Sequence, residues 1–75
     1  MNINDRVKIS PNSEWYSPEE DYLKASNPTD VLGTITDIQT GCPDALCIDV
    51  TWDAAYENGK PIENTYAKYD LEVVS

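Results

Sequence analysis

Leu46-Cys47-Ile48-Asp49-Val50-Thr51-Trp52-Asp53 is the stretch on which the reading of this chain turns. Apolar residues recur at every second position, and successive residues of a strand point to opposite faces of a sheet. A strand built from it carries Leu46, Ile48, Val50 and Trp52 on one face and Cys47, Asp49, Thr51 and Asp53 on the other. The aspartates assign that second face to water, and they place Cys47 there with them.

The neighbouring segments read in the same way. Upstream, Val31-Leu32-Gly33-Thr34-Ile35-Thr36-Asp37-Ile38 is a second strand. Ile35 and Ile38 lie three apart, so both can be buried only if a bulge near Thr36-Asp37 resets the alternation. Thr40-Gly41-Cys42-Pro43-Asp44 is a turn. Downstream, residues 53–61 form a wide turn with a left-handed corner at Asn58-Gly59. Ile62-Glu63-Asn64-Thr65-Tyr66 returns antiparallel, Lys68-Tyr69-Asp70 makes one tight turn, and Leu71-Glu72-Val73-Val74 is the closing strand. Near the start, Arg6-Val7-Lys8-Ile9 alternates and is ended by Ser10-Pro11-Asn12-Ser13.

Residues 10–30 show no sustained period and hold Pro11, Pro18 and Pro28. Within them Ser17-Pro18-Glu19-Glu20 reads as a helix start: a serine cap, proline at the first helical position, and acids at the positive end. Asn27-Pro28 stops any such helix after two turns. A structureless loop of that length is unusual, so it is expected to fold back and pin itself with its aromatics.

Seventy-five residues make a single domain, 1–75. Five short strands, one long early excursion and short later turns predict an all-β fold: a small five-stranded barrel whose closure hides the sheet edges. The predicted core is Val7, Ile9, Ile35, Ile38, Leu46, Ile48, Val50, Trp52, Tyr66, Leu71 and Val73.

With these pieces in place, Gly33-Thr34-Ile35-Thr36-Asp37-Ile38, Ile48-Asp49-Val50-Thr51-Trp52-Asp53, Asn58-Gly59, Asn64-Thr65-Tyr66 and Asp70-Leu71-Glu72-Val73 resemble SH3-like barrels of the Mind bomb/HERC2 type. Asp5-Arg6-Val7 is similar to their first strand, so the likeness spans nearly the whole chain. The resemblance implies a barrel with a long first loop and a tight turn before the last strand. Family members in large proteins recognise peptide segments; a lone acidic copy looks like a small bacterial or phage protein. The chain departs from the family by placing Ala54-Ala55-Tyr56-Glu57 between Trp52-Asp53 and Asn58-Gly59. Its early excursion also lacks the family's glycine-rich, tryptophan-bearing form. The resemblance therefore speaks to the barrel more than to peptide binding.

Fourteen acidic side chains against five basic ones and no histidine give a net charge of −9. Such a chain repels nucleic-acid phosphates and anionic membranes, whose binding relies on lysine and arginine. No run of about 20 apolar residues offers a membrane span, and the first residues lack the order of a secretory signal. A cytoplasmic protein is the expectation.

The aromatics are the first candidate site. Trp52 and Tyr66 belong to the core by periodicity, while Trp15, Tyr16, Tyr22, Tyr56 and Tyr69 lie in or beside loops. In an SH3-like barrel the first loop and the last turn approach each other, bringing Trp15 or Tyr16 towards Tyr69. These rings either staple the loop to a small core or cradle a peptide, with Glu19 and Glu20 among the acids beside them. Cys42 and Cys47 are spaced neither as a redox pair nor as half of a zinc site, leaving thiols or a hairpin disulfide. Asp37, Asp49 and Asp53 compose at most a weak cation patch, with no dedicated calcium spacing. No nucleophile elbow, phosphate loop or histidine base is present.

The expectation is a non-enzymatic, cofactor-free and metal-free module that binds a protein or peptide of basic character. Trp15, Tyr16, Glu19, Glu20, Tyr56 and Tyr69 are its candidate contacts. The alternatives are an acidic decoy imitating nucleic acid and a self-assembling structural subunit.

Overall fold

A computed structural model describes residues 1–16, 27–29, 31–39 and 47–74. Within them the chain forms β1 (Arg6–Ile9), β2 (Gly33–Ile38), β3 (Ile48–Ala55), β4 (Pro61–Tyr66), a single 3-10 turn (Lys68–Asp70) and β5 (Leu71–Val73). The strands make one sheet in the order β4-β3-β2-β1-β5, with each neighbouring pair antiparallel.

The sheet is open. Its edges, β4 and β5, do not pair, so the expected SH3-like barrel and the likeness that implied it are both corrected by the observed topology. The chain between the two strands shows why they stay apart. After Tyr66 it makes the 3-10 turn, whose last residue offers its carbonyl to Ser10 N–H at 2.8 Å and so delivers β5 to β1. The strand that follows has only three residues, and its first N–H is already spent on the carbonyl of Lys68. Little backbone is left with which to zip the far side. The short helix expected at Ser17-Pro18-Glu19-Glu20 lies outside the described residues.

Although open, the sheet curls enough for all five strands to feed one apolar cluster. Val7 and Ile9 of β1, Ile35 of β2, Ile48, Val50 and Trp52 of β3, Ile62 and Tyr66 of β4, and Leu71 of β5 are all buried there. Irregularities in the ladder allow the curl. The pairing of β2 with β3 shifts between Ile35 and Asp37, where the spacing of the isoleucines demanded a bulge. A second shift leaves Trp52, Asp53 and Ala54 facing Ile62 alone, between the pairs Thr51↔Glu63 and Ala55↔Pro61. Gly33 is required beneath the tryptophan: a β-carbon there would meet Val50 Cγ1 at 2.6 Å and Trp52 Cε3 at 2.7 Å. Gly59, at φ 86°, supplies the left-handed corner before β4.

Two members of the predicted core change place. Val73 opposes buried Val7 in register but is 46% exposed, because β5 is an edge of the sheet with no further strand beyond it among the described residues. Ile38 packs against the cluster from a half-buried position. Leu46 lies outside the described residues. Two others join: Ile62 is fully buried, and Cys47, expected beside Asp49 in water, is buried as well. Cys47 N–H donates to the carbonyl of Tyr66, the residue that Ile48 opposes in register. Two consecutive residues thus share one partner, as in a bulge, and both side chains turn inward. Cys42, the proposed disulfide partner, lies outside the described residues.

Candidate functional site

Asp70 organises the region where the aromatics were expected to meet. It is the third residue of the 3-10 turn and is 4% exposed. A buried carboxylate is tolerated only when its oxygens accept hydrogen bonds. One oxygen accepts from Ser13 Oγ at 2.9 Å and the other from Ala67 N–H at 3.2 Å. Ser13 Oγ in turn accepts from Trp15 N–H at 3.0 Å. With the bond from Ser10 N–H to the Asp70 carbonyl, the start of the first loop is fastened to the turn before β5.

Around this joint the predicted contacts separate into two groups. Tyr69 is 64% exposed and Trp15 is 36% exposed. Tyr16 and Tyr56 instead pack against the core cluster from half-buried positions, which is the stapling role. The two loops do approach each other, through Ser13 and Asp70, yet no ring contact joins Trp15 to Tyr69 among the described residues. Glu19 and Glu20 lie outside the described residues. Sequence reasoning missed Asp70, because an aspartate in a turn reads as solvated. The available signal was spacing: an acid three residues after Ala67 can reach back to that residue's N–H.

A second joint lies on the core side of β4. Trp52 Nε1–H donates to the Tyr66 hydroxyl at 3.2 Å, and that hydroxyl donates to Asn27 Oδ1 at 2.6 Å. The two rings meet edge to face with centroids 5.8 Å apart. Burial pushes the Tyr66 hydroxyl up to about 12, since the phenolate would lose its hydration there. This network fastens the far end of the first loop, where Pro28 and Thr29 are also buried.

On the outer face of β2, β3 and β4 lies a shallow groove of about 300 Å³, lined by Thr36, Asp49, Thr51, Glu63, Asn64 and Thr65. Asp37 stands opposite Asp49 in register, and Asp49 accepts a hydrogen bond from Thr65 Oγ1 at 2.7 Å. Asp53, further along, is held by Arg6, whose guanidinium also bonds Thr34 Oγ1 at 2.7 Å. The hydrogen bond from Arg6 keeps the Asp53 carboxyl below the usual carboxylate range. The three aspartates considered as a cation patch are therefore engaged separately. Asp37 caps the N–H of Ile38, and no metal-competent cluster of three ligands forms among the described residues.

Compared with protein-family models, with curated proteins and with solved structures, the chain matches none. What its geometry defines is an open antiparallel sheet with a fastened first loop and two strand edges. Among the described residues no helix is long and apolar enough to cross a membrane.

Proposed function

We propose that this chain is a non-enzymatic binding domain that takes a basic segment of another protein and works in the cytoplasm. The observation that carries the reading is the joint at Asp70. It fixes two loops to each other while leaving the rings of Tyr69 and Trp15 in contact with water. Exposed aromatics on a rigid mount supply contact area at little entropic cost. A net charge of −9 favours lysine or arginine in the partner, both through the long-range field and through cation–π contact with a ring face. Binding of lysine- and arginine-rich peptides, followed by tryptophan fluorescence, tests it. Affinity should fall with added salt and with Trp15→Ala or Tyr69→Ala. Equal affinity for acidic peptides would refute it.

The open sheet favours a second reading, self-assembly through an edge, with Val73 and Val74 exposed beside β5. Sedimentation decides between them: a chain that stays monomeric at high concentration leaves the first reading alone.

A further inference from the structure

The hydrogen-bond pattern of β4 fixes which of its backbone groups face outward. Tyr66 offers its carbonyl to Cys47 on the β3 side, and Lys60 offers its carbonyl to Tyr56 on the same side. Antiparallel ladders alternate, so Ile62, Asn64 and Tyr66 point their N–H and C=O groups at β3, while Pro61, Glu63 and Thr65 point theirs away. Pro61 brings a carbonyl and no donor. Glu63 and Thr65 bring a donor and an acceptor each, with no partner among the described residues. The other edge is poorer. By the same alternation β5 turns Leu71 and Val73 outward, but Leu71 N–H already serves the carbonyl of Lys68. One full residue remains there, against two on β4.

We propose that the β4 edge is a docking site for an extended basic segment, which adds to the sheet as a sixth strand beside Glu63 and Thr65. This inference rests on the reading of a basic partner and adds where and how that partner is held. Main-chain bonds to Glu63 and Thr65 give affinity without regard to sequence, and side chains give selectivity. The side chains of Glu63 and Thr65 share the outer face with Asp49, since they oppose Thr51 and Asp49 in register. Neither Glu63 nor Asp49 forms an ion pair with a lysine or arginine among the described residues; Arg6 and Lys8 are engaged by Asp53 and Glu72. A lysine or arginine on the outer face of an added strand lies directly beside Glu63, at the spacing where opposite charges attract. The same glutamate selects against a second copy of this chain. Two β4 edges paired through Glu63 and Thr65 would set their glutamates diagonally across one face, on molecules that each carry −9.

The test uses the full ¹⁵N-labelled chain and a short synthetic peptide of alternating lysine and valine. Two further peptides are compared: one with glutamate for lysine, and one with alternate backbone nitrogens methylated. The lysine peptide should shift the amides of Glu63 and Thr65 and protect them from hydrogen exchange. Methylation, which removes main-chain donors and leaves the protein untouched, should weaken binding by about tenfold or more. Glu63→Lys, at an exposed position, should do the same and flatten the salt dependence. If the lysine peptide binds but shifts only Trp15 and Tyr69, and methylation is without effect, strand addition is wrong while the wider reading stands. If no basic peptide binds, both fall. If the glutamate peptide binds as well, or the chain protects those amides itself as its concentration rises, the basic occupant is wrong.

Discussion

Asp70 and Asp53 are both carboxylates that reach across the chain, Asp70 from the 3-10 turn to Ser13 and Asp53 from β3 to Arg6. The first is buried, and its partners are a half-buried hydroxyl and a buried backbone amide that has no water to fall back on. The second meets a full opposite charge, yet both side chains stay in solvent, where an ion pair competes with hydration and salt. The weaker-looking set of partners therefore holds the fold, and the formal salt bridge decorates it. Tyr66 belongs with Asp70: its hydroxyl links Trp52 to Asn27 in the interior.

The comparison is broken most severely at Asp70. Asp70→Ala should cost about 3 kcal/mol, because it leaves the buried N–H of Ala67 unsatisfied and unfastens the half-buried Ser13 hydroxyl from the turn. That is a large share of the total for 75 residues, which is on the order of 4–11 kcal/mol. Urea unfolding measures it directly, and Asp70→Asn, which keeps one acceptor, should recover part of the loss. Tyr66→Phe comes next, at about 1–2 kcal/mol, since Trp52 Nε1–H loses its acceptor. The same joint should fail at high pH. Burial raises the Tyr66 hydroxyl from the ordinary value near 10 to about 12, so the contribution of this joint is intact below pH 10 and is lost as the pH rises towards 12. Trp15→Ala and Tyr69→Ala should leave the unfolding free energy within about 0.5 kcal/mol of the parent while weakening peptide binding, which separates the exposed rings from the joint beneath them. Asp53→Ala should move stability least of all. Because Arg6 lowers the Asp53 titration, its small contribution is present at neutral pH and disappears as the pH falls through that lowered value. It should also fade with salt.

What could be read from the sequence was periodic or steric. Ile48, Val50 and Trp52 are buried on one face as their alternation requires, the isoleucine spacing in β2 required its bulge, and Asn58-Gly59 required a left-handed corner. What escaped depends on partners distant in the chain. Alternation put Cys47 in water, and only the shared pairing with Tyr66 turns it inward. Val73 was apolar and in phase, yet an edge strand has no neighbour to cover it. Closure of the sheet was inferred from the need to hide edges, and that need does not say whether pairing or a charge such as Glu63 meets it. Of the four aromatics offered as contacts, Trp15 and Tyr69 are exposed. Nothing local distinguished them from Tyr16 and Tyr56, which the core claims.

Native-state hydrogen exchange along β4, which pairs only with β3 among the described residues, probes its outer edge at single-residue resolution. Slow exchange is expected at Ile62, Asn64 and Tyr66, whose amides point at β3, with fast exchange at Glu63 and Thr65. Equal protection at all five positions would mean that β4 has a partner on its far side, and that the sheet is not open.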